Sequence, residues 1–257
     1  MIKYLDFNVK EPNRNGERTD LTWDTFQKYR DEVKISKKFN DFVKDKSIII
    51  VGPSPYLQGL GRGEFIDSHD IVVRMNRGWK IPLGMQEDYG SKTDIRWHCM
   101  SEAEYNGGPF EVDSMVNHNI KWLASQFPRN LDYFHYDILK FEEINNNKLE
   151  FYCFSDLIYF LNIHRALETR PNVAQTAIFD LINYDYKTLH LSGVTFLLDG
   201  YYKGYAQEGE RSIVNGDIQG HRAAPQIHLI KMIYENITNF TMDKEIEDLI
   251  YSFKILK

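Results

Sequence analysis

Residues 47–55 read Ser47-Ile48-Ile49-Ile50-Val51 followed by Gly52-Pro53-Ser54-Pro55. Four β-branched residues in succession, stopped by a turn of glycine, proline and serine, predict a strand buried on both faces that runs into a tight loop. A second strand is predicted at Ile71-Val72-Val73-Arg74-Met75, a third at Ile120-Lys121-Trp122-Leu123, and another from Leu189 to Val194. Between and after them the period changes. Leu157, Ile158, Leu161 and Leu167 suit a helix capped by Ser155 or Asp156 and closed before Pro171; residues 172–184 and Ala224 to Ile237 also repeat at helical spacing. Strands that alternate with helices predict an α/β fold with a mostly parallel sheet, whose ligand lies beyond the carboxyl ends of the strands.

Upstream, Trp23, Phe26, Tyr29, Val33, Phe39, Phe42 and Val43 recur at helical spacing, so residues 1–46 read as one or two amphipathic helices. Residues 101–119 and 128–150 show neither period and are expected to be loops over a site, or a small insertion. With 257 residues, 42% of them hydrophobic, the chain suffices for one core and one domain. A formal net charge of −6 supplies no positive field for nucleic acid or an anionic membrane. The longest apolar run is strand-sized, which predicts no membrane-spanning segment, and the charged N-terminal residues do not read as a signal peptide. Cys99 and Cys153 lack the spacing of a zinc site or a redox pair.

Three segments are candidates for chemistry. In the first, residues 51–79, the turn after the leading strand exposes N–H groups and the Ser54 hydroxyl where a phosphate could be held. Asn76 closes a strand and offers a donor and an acceptor, or simply satisfies a turn. Asp70 pairs with Arg74 or caps a loop. Gly59, Gly61 and Gly63 have the wrong spacing for a dinucleotide fingerprint. In the second segment, residues 171–196, Pro171 leads a helix whose first N–H groups favour an anion. The third carries Tyr201, Tyr202 and His221, a histidine just ahead of a helix with a side chain suited to proton abstraction near neutrality.

Taken together, the three segments resemble glycosyltransferase family 29, the animal-type sialyltransferases. Val51-Gly52, Ile66-Asp67-Ser68-His69-Asp70, Val73-Arg74-Met75-Asn76 and Asp88-Tyr89-Gly90-Ser91-Lys92-Thr93 look like that family's large sialylmotif. Pro171 opening a helix and the strand ending in Gly193 resemble the small motif. Tyr201-Tyr202 looks like the short aromatic motif, and His221 with Gln226 resembles the last one, a histidine followed by a glutamate five positions on. The departures are Asn172-Val173-Ala174 where the family has hydroxyl residues and a glycine, Gln226 for the glutamate, and Pro53 for an asparagine. The family's disulfide positions fall at Ile48 and about Tyr184, so the bridge is absent.

The resemblance implies a Rossmann-like, mostly parallel sheet flanked by helices, the GT-A-like variant of sialyltransferases, as a single domain with a helical segment at 1–46 and a catalytic core at 47–257. It implies an inverting transfer of sialic acid, or of the related keto-sugar Kdo, from a cytidine monophosphate (CMP) donor to a glycan hydroxyl. His221 would be the general base; Gly52, Ser54, Asn76, Asn172 and Tyr201 or Tyr202 would hold the donor; Asp70, Arg74 and Gln226 would support the motifs. No cofactor is expected. The sequence has no Asp-x-Asp pair, which predicts a metal-independent reaction. A missing disulfide and membrane anchor imply the cytoplasm of a bacterium or a virus-infected cell. Partners are the CMP-sugar and a carbohydrate acceptor, whose identity is set by residues 101–150 and around 205–219. A degenerate CMP-binding module is the rival reading, and Gln226 and the altered Asn172 stretch are its grounds.

Overall fold

The computed structural model describes residues 21–103, 107–131, 135–205, 217–218 and 221–253. Residues 1–20 therefore lie outside the described part of the predicted N-terminal helices, as does most of the 205–219 segment. Two helices come first, α1 (Trp23–Asp31) and α2 (Lys37–Val43), with N-caps at Thr22 and Ser36. There follow β1 (Ser47–Val51), α3 (Gly63–Asp67), β2 (Ile71–Met75), α4 (Gln86–Tyr89), β3 (Ile95–His98), α5 (Val112–Asn117) and β4 (Trp122–Ser125). The second half runs α6 (His135–Asn145), β5 (Glu150–Cys153), α7 (Leu157–Leu167), α8 (Val173–Leu181), β6 (Thr188–Ser192), β7 (Asp217–Ile218), β8 (His221–Arg222), α9 (Ala223–Asn236), β9 (Phe240–Met242) and α10 (Lys244–Ser252).

Seven strands form one sheet in the order β5-β4-β3-β2-β1-β6-β9, and every pairing in it is parallel. The expected α/β fold with a parallel sheet is thus present. The apolar run of β1 makes it the sheet's interior: Ile48 and Ile50 join a large core with α1, α2 and α8, whereas Ile49 and Val51 join Leu57, Ile66 and Val72 on the other face. From β1 the chain winds outward through β2 to β5, then returns to place β6 on the opposite side of β1. The order reverses there, and open sheets of this kind bind ligands in the crevice at such a point.

Several expectations need correction. Residues 101–119 and 128–150 contain α5 and α6 rather than loops alone. The strand expected at 120–123 sits two residues later, and β3, β5 and β9 were not anticipated. β3 hides because half of it is polar. Arg96 and His98 are buried, and their cost is offset by bonds to backbone carbonyls. Arg96 donates from Nε to Asn76 O at 2.7 Å, from Nη1 to Phe110 O at 2.8 Å and from Nη2 to Gly107 O at 2.7 Å. His98 pairs with Gly107 O at 2.9 Å. One strand thereby straps residues 107–110 to the end of β2.

Candidate active site

β1 and β6 leave the sheet so close together that neither can carry a side chain at its exit. A Cβ on Gly52 would lie 2.1 Å from Gly193 O, and one on Gly193, whose φ is +67°, would lie 2.5 Å from Gly52 O. The crossing is held by Gly52 N–H donating to Ser192 O at 2.8 Å and Ser54 N–H to Gly193 O at 3.1 Å. Beneath it, the Asp243 carboxylate accepts from Tyr56 OH at 2.6 Å and Ser192 Oγ at 2.6 Å and pairs with Arg62 at 2.8 Å. Burial alone would raise the Asp243 pKa, but hydrogen bonds from His190, Ser192 and Tyr56 and the Arg62 charge hold it below the ordinary carboxylate value.

A cavity of about 360 Å³ opens over these exits. Gly52, Ser54, Asn76, Asn172, Tyr201 and His221 all line it, so six residues singled out along the sequence meet at one place. Met100, Phe196 and Leu197 line it too, and each has a left-handed backbone with φ of +56°, +58° and +69°. Large apolar residues held there cost about 1–3 kcal/mol each, and strain of this kind gathers at functional sites.

Each candidate has a definite setting. Ser54 is 1% exposed and its hydroxyl donates to Asp199, which also takes a bond from the Thr195 hydroxyl. Burial raises the Asp199 pKa against the pull of those two bonds. The phosphate contact expected of Ser54 therefore meets a competing carboxylate that no sequence pattern marked. Asn76, at φ +49°, accepts Cys99 N–H at 3.0 Å on Oδ1, which orients its NH₂ as the donor end. Asn172 caps α8, accepting Gln175 N–H at 3.1 Å, and its own N–H goes to Gln226 Oε1 at 2.9 Å. Gln226 Nε2 in turn donates to Arg222 O at 2.7 Å. Gln226, 1% exposed, joins the starts of α8 and α9 without lining the cavity.

His221 donates from Nδ1 to Arg170 O at 2.6 Å. A carbonyl can only accept, so Nδ1 carries a proton, and in the neutral ring the lone pair is on Nε2. Nearby His164 on α7 is pushed down to about 4, chiefly by burial and then by the Arg170 charge, which keeps it neutral.

The remaining candidates lie away from the cavity. Tyr202 is 4% exposed, packs against Tyr89 with ring centres 4.8 Å apart, and donates its N–H to Pro53 O at 2.8 Å; burial pushes its phenol up to about 12. Of the tyrosine pair only Tyr201 reaches the cavity wall. Asp70 does not pair with Arg74: it accepts Ser47 N–H at 2.9 Å and Ser47 Oγ at 2.8 Å at the start of β1. Arg74, fully buried, donates to Lys92 O at 3.0 Å and Tyr89 O at 2.6 Å, and desolvation lowers its pKa to about 10. Asp67 accepts the N–H groups of Ser91 and Lys92 at 2.8 and 3.0 Å. The two halves of the first motif thus hold each other, while Gly52, Met75 and Asn76 are its members that line the cavity. Among the described residues no three His, Cys, Asp or Glu side chains converge on a metal position. Among them, too, no helix is long and apolar enough to cross a membrane.

Glycosyltransferase family 29 (sialyltransferase) matches residues 6–171, more than half of the chain. This chain belongs to that family. Its curated relatives include the type 2 lactosamine alpha-2,3-sialyltransferase of Homo sapiens, 27% identical over 150 residues that make up 56% of this chain and 40% of the relative. The chain thus spans about 40% of the length of that relative. A mouse CMP-N-acetylneuraminate-beta-galactosamide-alpha-2,3-sialyltransferase 2 is 28% identical over 120 residues, 45% of this chain and 33% of that one. Among solved structures, the fold is similar to Campylobacter jejuni sialyltransferase CstII in complex with CMP-3FNeuAc. The TM-score is 0.54 at 14% identity, covering 77% of this chain and 81% of CstII. A mammalian sialyltransferase in complex with Gal-beta-1-3GalNAc-ortho-nitrophenol gives 0.50 at 15% identity, covering 89% and 81%.

Proposed function

We propose that this family 29 member transfers sialic acid, or a related acidic keto-sugar, from a CMP donor to a glycan hydroxyl with inversion at the anomeric carbon. The observation that carries the reading is the His221 ring, fixed by Arg170 O at 2.6 Å in the wall of a cavity at the point where the sheet order reverses. In the reaction the acceptor O–H gives its proton to His221 Nε2 as its oxygen bonds to the anomeric carbon. The bond from that carbon to the phosphate oxygen breaks, and CMP leaves with the electron pair. General base help of this kind contributes about 10²–10⁴-fold in rate.

The donor brings two negative charges, carboxylate and phosphate, to the cavity. Arg170 lines it, and the N–H groups opening α8 beside Asn172 add the positive end of a helix. Asn76 and Tyr201 supply neutral contacts, while Gly52, whose N–H is taken by Ser192 O, lines the cavity with bare backbone. CMP carries a single phosphate, so the reading requires no divalent ion to neutralise a pyrophosphate. CMP-Kdo offers the same carboxylated anomeric centre and is the alternative donor. Cys99 and Cys153 are thiols rather than a disulfide, which supports the cytoplasm as the working compartment.

The test is His221→Ala, assayed in EDTA with CMP-sialic acid and mixed glycan acceptors. Transfer falls by about 10²–10⁴-fold while CMP still binds by calorimetry. Unchanged turnover would remove His221 as the base, and dependence on added Mg²⁺ or Mn²⁺ would contradict the metal-free scheme.

A further inference from the structure

β4 ends three strands away from β1, about 14 Å across the sheet at ~4.8 Å per strand. The residue that follows it, Gln126, lines the cavity and is 2% exposed. Its backbone is anchored, N–H to His98 O at 3.0 Å, yet neither Nε2 nor Oε1 of its side chain has a hydrogen-bond partner. A buried amide left unpaired is costly, and native proteins satisfy nearly all of them. Gln175 in α8 is also buried with an unpaired amide, but it lies outside the cavity wall. Among the described residues Gln126 alone combines the two conditions, an unmet donor and acceptor and a place where a ligand can meet them.

What that ligand presents follows from the neighbours. Phe127, next in the chain, lies under the Arg170 guanidinium at 5.9 Å, and Arg170 O is the group that fixes His221. Gln126, Arg170 and His221 thus line one cavity, with Arg170 touching both the residue after Gln126 and the His221 ring. Asp137, on the helix that follows β4, lines the same cavity. A carboxylate disfavours the donor's carboxylate and phosphate and accepts hydroxyl protons readily, while a neutral amide offers one donor and one acceptor side by side. We infer that Gln126, with Asp137, binds adjacent hydroxyls of a neutral acceptor sugar and so selects the acceptor presented to His221. This rests on the glycosyltransferase reading above. A sugar diol gives and takes a hydrogen bond at neighbouring oxygens and satisfies both ends of the amide.

The experiment compares the wild-type chain with Gln126→Met, a substitution of similar volume, in initial-rate assays with CMP-sialic acid and a terminal β-galactoside. A series of acceptor analogues, each lacking one hydroxyl beside the reacting position, completes it. The acceptor KM rises about tenfold to a hundredfold, as loss of one or two such bonds requires, and the donor KM moves less than about threefold by the same measure. The wild type discriminates against one deoxy analogue and Gln126→Met does not. The melting temperature of Gln126→Met does not fall, since no protein partner is lost. An unmoved acceptor KM, a donor KM that rises instead, or a variant that fails to fold would each overturn the assignment of Gln126. Absence of any transfer by the wild type would overturn the reading beneath it.

Discussion

Ser54 on the inner wall of the cavity, where β1 and β6 leave the sheet, and Gln126 on the outer wall at the end of β4 are both buried but opposite in hydrogen bonding. On the inner wall Ser54 donates to Asp199, Asn172 gives its N–H to Gln226, and Gln226 in turn reaches Arg222 O. On the outer wall the Gln126 amide meets nothing. Two glutamines of the same chain, 1% and 2% exposed, thus have different duties: Gln226 joins two helix starts, and Gln126 awaits a ligand. Satisfaction of polar groups, more than burial or residue type, separates the scaffold of this site from the part that reads a substrate.

That contrast can be broken from either side. The largest effect belongs to the crossing of the two strands. Gly193→Ala places a Cβ 2.5 Å from Gly52 O at a φ of +67° and should cost about 3 kcal/mol or more, measured by denaturant unfolding. A loss under about 1 kcal/mol would mean the inner wall yields. Gln226→Leu comes next. It leaves Asn172 N–H and Arg222 O without their partner and should cost about 1–3 kcal/mol, with a lower transfer rate because the start of α8 and the residue ahead of α9 lose their tie. Stability equal to wild type would deny Gln226 its joining role. The smallest effect, and of opposite sign, is that of Gln126→Met, for which stability holds or rises slightly because an unpaired amide is removed.

Much of the inner wall was legible in the sequence. A β-branched run halted at Gly52-Pro53 marks a strand exit at any depth of burial, and Asn172 and His221 stand at helix starts where local rules point. The parallel sheet followed from the alternation of strands with helices. β3 was not legible, since Ile95-Arg96-Trp97-His98 alternates apolar with polar residues whose burial depends on carbonyls of residues 107–110, a tertiary fact. α5 and α6 were missed where periodicity is weak. Asp199 and Gln126 escaped for a related reason: a carboxylate competing for Ser54 and an amide without a partner are properties of contacts, which no spacing along the chain encodes. Asp70 and Arg74 belong to the motif yet serve the scaffold, so motif membership by itself did not distinguish residues that hold the fold from Asn76, which faces the cavity.

Sugar transfer is the property from which every role given to the cavity follows. The direct measurement incubates the chain with CMP-sialic acid, and separately with CMP-Kdo, in the presence of mixed glycan acceptors, following CMP release and acceptor mass together. CMP release matched by an acceptor gaining one sialyl residue is the expected result. CMP that binds while no acceptor gains mass from either donor would contradict the account and leave a binding module in its place.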